Sequence, residues 1–391
     1  MTYPKITLHK GKETSPLRRH PWIFSGAMHK KEGEINEGSI VEIYSAQNAY
    51  LATGYFANGS IAIRILSFKQ VEIDKTFWIE KISKAKLYRA LLPIQNENTN
   101  VYRLFFGEGD GAPGLIIDNY NGHLVIQAHS YGIYLQRQTI AEALQEVFGS
   151  SLKSIYDKSA ETLPKQFAPE AVNGFIVGAQ EEVLVKENGH IFKIDFVNGQ
   201  KTGFFIDQRE NRKLLAKYSQ GKTVLNTFSY TGGFSVYAAK NGATQVESID
   251  ISKTAIDLCN KNIELNNCKN HSSYAIDTFE FLKDKKDLYD IIVLDPPAFA
   301  KNRDSKHNAV QAYKRLNATA LKLIKTNGLL FTFSCSGVVD KFLFYNTITA
   351  SAIESGRNVK ILHYLNQPAD HPVIPFFPEG EYLKGMVLWV E

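Results

Sequence analysis

Five short stretches in the second half of this 391-residue chain combine residue types that can do chemistry. The first is Ser229-Tyr230-Thr231-Gly232-Gly233-Phe234-Ser235, directly after the apolar run 224–228. A Gly-bearing turn between a strand and its helix lets the backbone approach a ligand closely. Eighteen positions beyond Gly232 a second run ends in Asp250, where a carboxylate can take ribose hydroxyls. A third run is followed by Asp277, placed to reach an adenine edge, and a fourth ends in Asp295-Pro296-Pro297-Ala298-Phe299. The fifth ends in Thr332-Phe333-Ser334-Cys335-Ser336-Gly337, a thiol among small neighbours.

Nicotinamide cofactors and S-adenosylmethionine (SAM) both use a Gly turn followed by a ribose-binding acid. The turn here lacks the G-x-G-x-x-G spacing that opens a helix N-terminus to a pyrophosphate. SAM has no phosphate, so the ordered set of Gly turn, Asp250, Asp277 and Asp295 points to SAM. Alone, Pro296-Pro297 would be a strand terminator; behind those acids it marks the ligand edge of an open sheet.

A cysteine is by type most often a buried structural residue. Cys259 and Cys268 are read so, being on or just after a helix away from the inferred site. Cys335 differs, because its strand end is expected to share an edge with Asp295. A thiolate there can add to carbon 6 of a pyrimidine, turning carbon 5 into a nucleophile toward the SAM methyl group. A base must then take the carbon-5 proton so that the thiol can leave. A protonated Asp295 would assist the addition at cytosine N3. Such an attack requires the base to leave its stack.

Strands expected at 224–228, 245–250, 272–276, 291–294 and 329–334 alternate with helices at 234–240, 253–266, 278–283 and 308–324. This βαβ repetition implies a mostly parallel sheet with helices on both faces. Two further strand candidates, 358–364 and 382–390, end the chain. Upstream, short β-type runs at 39–44, 50–55 and 60–68, separated by Gly-bearing turns, suggest a small β-barrel or sheet domain. A helix is expected over 74–92 and another over 133–148, closed by Gly149. Asn121-Gly122 and Asn188-Gly189 read as hairpin turns. The expected fold is multidomain α/β, with a β domain over 1–72, a central α+β domain over 73–198 and a Rossmann-like domain over 199–391.

Composition is that of a globular protein, and no stretch approaches the roughly 20 apolar residues needed to cross a bilayer. Residues 1–12 lack the apolar core of a signal peptide. Three scattered cysteines make neither a disulfide framework nor a zinc site, so no metal and a reducing, cytoplasmic setting are expected. The net charge of +5 is concentrated at the start of the chain. Lys5, Lys10, Lys12, Arg18, Arg19, Lys30 and Lys31 face only Glu13 within the first 31 residues. A localised patch of this sign attracts a polyanion by counterion release.

Taken together these residues resemble the bacterial large-subunit (23S) ribosomal RNA cytosine-5 methyltransferases of the RlmI-like group. Arg18-Arg19-His20-Pro21-Trp22-Ile23-Phe24-Ser25-Gly26 is similar to that family's N-terminal PUA module, a small RNA-binding β-barrel. Gly107-Glu108-Gly109-Asp110-Gly111-Ala112-Pro113-Gly114-Leu115 resembles its central domain. Gln200-Lys201-Thr202-Gly203-Phe204 with 207–212 resembles the lead-in to its class I methyltransferase domain. The stretches at 228–234, 295–297, 333–337 and 369–374 follow in order, so the likeness covers nearly the whole chain. It implies cytosine-5 methylation of large-subunit rRNA with Cys335 as nucleophile. It also implies cofactor contacts at Lys201, Thr202, Ser229, Thr231, Gly232, Gly233, Asp250, Asp277 and Asp295. Arg18 and Arg19 are the expected phosphate contacts and Trp22 a stacking residue, or else a core residue of the barrel.

Many RNA cytosine-5 methyltransferases of other groups carry a second, product-releasing cysteine after the fourth strand; here Ala298 and Phe299 follow Pro297. The release base is therefore open, with His371 a candidate. Oligomeric state is open as well, a homodimer included. Two rival readings remain. An exocyclic-nitrogen methyltransferase would use Asp295-Pro-Pro-Ala-Phe299 to receive an amino group, but its aromatic residue is displaced by one position and Cys335 is left without a task. An RNA-binding or assembly factor without catalysis would leave the acids and Gly turn without a task.

Overall fold

The computed structural model describes residues 3–167, 169, 171–283, 288–300 and 304–391. The chain divides into two units. One holds the chain up to Val185 with Ile194–Ile206 and Ala369–Gly380; the other holds Lys186–Lys193, Asp207–Pro368 and Glu381–Glu391.

The first unit begins with β1 (Lys5–Leu8), a one-turn helix α1 (Thr14–Leu17), β2 (Trp22–Phe24), β3 (Met28–Glu32), β4 (Ile40–Tyr44), β5 (Tyr50–Phe56) and β6 (Ile61–Ser67). These strands form one sheet in the order β2-β6-β5-β4-β1-β3, antiparallel except where β1 meets β4. Alternate side chains turn inward, as the two-residue period of a strand requires. Ile6, Leu8, Val41, Ile43, Phe56, Ile63 and Ile65 make the core. Helix α2 (Lys75–Ala90) starts where the Asp74 carboxylate accepts the Phe77 N–H, and it buries Trp78, Ile82 and Ala85 on the expected face.

A second sheet in this unit follows, built from β7 (Val101–Phe106), β8 (Leu115–Tyr120), β9 (His123–Ala128), β10 (Ser154–Asp157) and β11 (Gly174–Val177). Its order is β11-β10-β9-β8-β7, with α3 (Tyr131–Phe148) between β9 and β10 in sequence. The turn of the β8–β9 hairpin has Asn121 at φ 55° and Gly122 at φ 91°. Asn188 and Gly189, at 49° and 83°, do the same for β12 (Val183–Glu187) and β13 (His190–Ile194). Two successive left-handed residues are what a tight hairpin turn needs, and Asn-Gly supplies them at least cost. The ribbon's tip, Lys186–Lys193, belongs to the second unit.

The second unit is built on seven strands: β14 (Thr223–Thr227), β15 (Gln245–Asp250), β16 (His271–Ala275), β17 (Tyr289–Leu294), β18 (Ile324–Ser334), β19 (Val359–Asn366) and β20 (Lys384–Val390). The order is β16-β15-β14-β17-β18-β20-β19. The first five run parallel and β20 runs antiparallel to both its neighbours. Connections leave β14 in one direction through β15 and β16 and return on its other side at β17. In open α/β sheets such a reversal opens the ligand crevice at the strands' carboxyl ends. Helices α5 (Gly233–Lys240), α6 (Lys253–Leu265), α7 (Thr278–Leu282) and α8 (Lys306–Leu323) fall where the pattern places them.

Two helices do not follow from that pattern: α4 (Arg209–Tyr218) and α9 (Lys341–Ser355). Helix α4 is strongly charged, yet it buries Arg209, Asn211, Arg212 and Leu215. Helix α9 carries Asn, Thr and Ser, which favour other conformations locally. Its start is set by Asp340 capping the Leu343 N–H, and burial of Phe344, Ile348 and Ala352 holds it.

Candidate functional site

After Thr227 the chain leaves β14 through three left-handed residues, Phe228 (φ 52°), Tyr230 (φ 44°) and Gly232 (φ 79°). For the two aromatic residues this is costly, on the order of 1–3 kcal/mol each. Surrounding hydrogen bonds hold them there. Ser229 N donates to Ile249 O at 2.9 Å, and Gly232 N to Ser229 O at 2.8 Å. Tyr230 N donates to Asp250 Oδ2 and Asn262 Nδ2 to Thr231 O, both at 2.9 Å. Ser229 and Thr231 are buried, and among the described residues the Ser229 hydroxyl has no hydrogen-bond partner. An unsatisfied buried hydroxyl costs about 1–3 kcal/mol. A strained turn holding such a group at a sheet's switch point fits a polar ligand.

Gly232 is required twice over. It needs positive φ, and a Cβ there would overlap Cys259 Sγ. Cys259, expected to lie away from the site, thus packs directly behind the turn. The reason is the inward face of α6, on which Ala255, Ile256, Cys259, Asn262 and Ile263 are buried together. Burial pushes the Cys259 thiol up to about 12, so it fills space and does not react at neutral pH. Gly233 is equally crowded, a Cβ there lying 3.0 Å from Arg212 Cδ. Arg212 meets Glu187 in a bidentate pair, Nε to Oε1 at 2.8 Å and Nη2 to Oε2 at 2.7 Å, both side chains being buried. Tyr237 OH adds a third bond to Glu187 Oε1 at 3.0 Å. The ribbon's tip and α4 are thereby locked beneath the start of α5.

Asp250 ends β15 half-buried. Its Oδ2 takes the Tyr230 N–H, and its Oδ1 the Ser252 N–H at 2.9 Å. Each oxygen keeps a second lone pair for a hydroxyl. Asp277 is exposed and caps α7, accepting the N–H groups of Phe279 and Glu280.

Strands β17 and β18 run side by side with Leu294 opposite Thr332, so Asp295 and Cys335 leave the sheet on the same edge. Both are half-buried. Tyr313 of α8 joins them: its hydroxyl accepts from Ser334 Oγ at 3.0 Å, and its ring packs on Phe299 with centroids 4.7 Å apart. Burial pushes the Tyr313 hydroxyl up to about 12, and the neighbouring Cys335 and Asp295 act in the same direction. Ser336 Oγ donates to Ala300 O at 2.9 Å, tying the two strand-end loops together. Lys384, opposite Ser334 on β20, is buried, and its ammonium donates to Ser336 O at 2.6 Å and Val339 O at 2.7 Å. Tyr313 and Lys384 carry no signal in the sequence. One reads as part of an apolar helix stripe, and the other lies about 50 residues from the loop it holds.

The remaining expected site residues lie in the first unit. Lys201 is exposed at φ 49° with its ammonium 5.2 Å from the Phe205 ring centre. Thr202 is buried; its hydroxyl donates to Asp118 Oδ2 at 2.6 Å and accepts from Tyr120 OH at 3.0 Å. Asp118 also takes a bidentate bond from Arg103. Arg18 and Arg19 are exposed, Arg19 in the left-handed region at φ 59°. The Trp22 indole donates to Glu108 Oε1 at 2.8 Å and packs edge-on against Phe377. His371 is buried beside Asp370, with Nδ1 3.2 Å from Oδ1.

A parallel sheet of this strand order, with β20 inserted antiparallel and a Gly turn and acids at its carboxyl edge, defines the class of SAM-dependent methyltransferases. A family model described as S-adenosylmethionine-dependent methyltransferase matches residues 102–386, and one described as a PUA-like domain matches 6–68. The chain belongs to the SAM-dependent methyltransferase family, within the group of ribosomal RNA large subunit methyltransferase I. The protein of that name from Aeromonas salmonicida is 40% identical over 392 residues, 98% of each chain. A Streptococcus mutans protein described as a SAM-dependent methyltransferase is 26% identical and superimposes with a TM-score of 0.84 over 100% of both chains. A second solved structure, of SMU.776, described as a methyltransferase complexed with SAH, gives 26% and 0.85 over the same extent. SAM is thus the cofactor, as the turn and acids indicate. Among the described residues no helix is long and apolar enough to cross a membrane.

Proposed function

We propose that this protein methylates carbon 5 of a cytosine in large-subunit ribosomal RNA, in the cytoplasm, through the Cys335 thiolate. The observation that carries the reading is the side-by-side exit of Asp295 and Cys335 from β17 and β18, on the edge that holds the SAM turn. The relatives' name supports the substrate class.

Bound SAM supplies an electrophilic methyl group. Cys335 adds its thiolate to carbon 6 of the extruded cytosine, while Asp295 in its protonated form hydrogen-bonds N3 and draws electron density from the ring. Carbon 5 becomes nucleophilic and accepts the methyl group. Loss of the carbon-5 proton to a base restores the 5,6 double bond and expels the thiolate. Ser229, Thr231, Gly232 and Gly233 would hold the cofactor through the turn. Asp250 would bind the ribose and Asp277 the adenine edge, and Asp295 would serve cofactor and base. The module over 1–72 is a PUA-like barrel that docks RNA through Arg18, Arg19 and Trp22. Residues 73–198 form the central domain and 199–391 the catalytic one.

Large-subunit rRNA substituted with 5-fluorocytosine tests the reading, because fluorine cannot leave as a proton does. Incubated with SAM, it yields a denaturation-resistant protein–RNA adduct. Methylation of unsubstituted RNA without an adduct would instead establish the exocyclic-nitrogen reaction.

Two further outcomes follow from the binding assignments. Asp250→Ala weakens SAM binding by about tenfold or more, the worth of a charge-assisted hydrogen bond, in a calorimetric titration; an unchanged dissociation constant removes the ribose role. Asp250→Asn retains the acceptor for the Tyr230 N–H and separates loss of the turn from loss of the ribose contact. Replacing Arg18 and Arg19 by Gln lowers RNA affinity most at low salt and flattens the log–log salt dependence by about one to two units. Equal slopes would leave the basic patch as plain solvated surface.

A further inference from the structure

Lys384 occupies a position that hydrophobic packing does not explain. It is almost fully buried near the start of an interior strand of the sheet, between β18 and β19. Taking an ammonium out of water costs several kcal/mol unless charge and hydrogen bonds compensate. Its two hydrogen bonds go to the carbonyls of Ser336 and Val339, neutral acceptors just after Cys335. An ammonium has three donors, and among the described residues no acceptor takes the third and no carboxylate pairs with it. Cys335 is the group beside it that can become an anion. Lys384 lies directly opposite Ser334, and its ammonium reaches the loop that follows the thiol through the Ser336 and Val339 carbonyls.

Among the described residues, the groups of known charge effect near this thiol lie on α8, β17 and β20. Tyr313 faces it from α8 and stays neutral at working pH, and Asp295 faces Tyr313 from the end of β17. On the far side of Lys384, Asp340 at the start of α9 and Glu381 before β20 act on the ammonium from a distance. Burial lowers the pKa of Lys384, while Cys335, Asp340 and Glu381 oppose that shift.

We propose that Lys384 is the charge partner and positioning residue of Cys335: its ammonium pins the Ser336–Val339 loop through two carbonyls and stabilises the adjacent thiolate. The thiolate is the species present before attack on carbon 6 and again when the carbon–sulfur bond breaks. One cation therefore favours both the attacking nucleophile and the leaving group, in a site where Ala298 and Phe299 stand where other enzymes place a releasing cysteine. The inference rests on the cysteine chemistry proposed above, but its test needs no RNA.

The test is alkylation of the full-length protein by iodoacetamide across a pH series, with Cys335 modification read by peptide mass spectrometry. Cys259 serves as an internal unreactive thiol. In the unaltered protein the alkylation midpoint of Cys335 falls below the ordinary thiol value of about 8.5. In K384M it rises by about one pH unit or more, the effect of removing an opposite charge at close range; K384R restores most of the shift, and SAM affinity is retained in both. A midpoint unmoved in folded K384M overturns the proposal. Should K384M not fold, a midpoint at or above 8.5 in the unaltered protein overturns it equally. A shifted midpoint without an adduct on 5-fluorocytosine RNA would keep the Lys384–Cys335 pair and discard the cytosine-5 reading alone.

Discussion

Cys335→Ala abolishes methyl transfer to rRNA, on the order of 10⁴-fold or more, and leaves SAM affinity within about threefold of the unaltered protein. The separation follows from where the thiol lies. The cofactor turn 228–233 is built on β14, braced by Asp250 and Asn262. Cys335 is two strands away, at the end of β18. Its removal leaves the strained turn and its hydrogen bonds in place. Methyl transfer loses its route, because cytosine carbon 5 is a poor nucleophile until carbon 6 is occupied. Single-turnover transfer from radiolabelled SAM and calorimetric SAM binding check the two halves. Retained turnover would end the nucleophile assignment, and lost SAM affinity would make Cys335 a packing residue of the crevice.

The second large effect is on stability. Arg212→Ala leaves Glu187 fully buried and without its bidentate partner, and destabilises the second unit by about 3–5 kcal/mol. SAM affinity falls with it, because Arg212 underlies Gly233 at the start of α5. The double replacement Arg212→Met with Glu187→Leu recovers most of the loss, since a buried pair exchanged for apolar groups of similar size is often neutral. Urea unfolding followed separately for each transition is the measurement. A single variant within about 1 kcal/mol of the unaltered protein would show that water reaches Glu187.

The legible part of the fold was the part written in short-range pattern. Strand–helix alternation located all five parallel strands of the second unit, four of them to within two residues, while β18 starts at Ile324, five residues before the expected 329. Apolar runs and Gly turns are properties of neighbouring residues. The two Asn-Gly pairs located hairpins for the same reason. Helix α9 escaped because its Thr and Ser residues weaken helix locally, and α4 because three of its four buried residues are Arg209, Asn211 and Arg212, so no apolar stripe marks it; burial decides both.

The site divides along the same line. Order and spacing nominate Ser229–Gly233, Asp250, Asp295 and Cys335 as candidates, because each sits at or just after a strand end beside a turn. The sequence alone therefore determined the class of fold, the SAM cofactor and a short set of candidate groups. Tertiary structure alone decided that Cys259 backs the Gly232 turn, that Glu187 and Arg212 lock the ribbon under α5, and that Lys384 reaches the loop after Cys335. It also decided that Trp22 and Thr202 spend their polar atoms on Glu108, Asp118 and Tyr120. Periodicity and turn chemistry act over a few residues, whereas these pairings join positions 25 to 86 apart and exist only once sheets have brought their strands together.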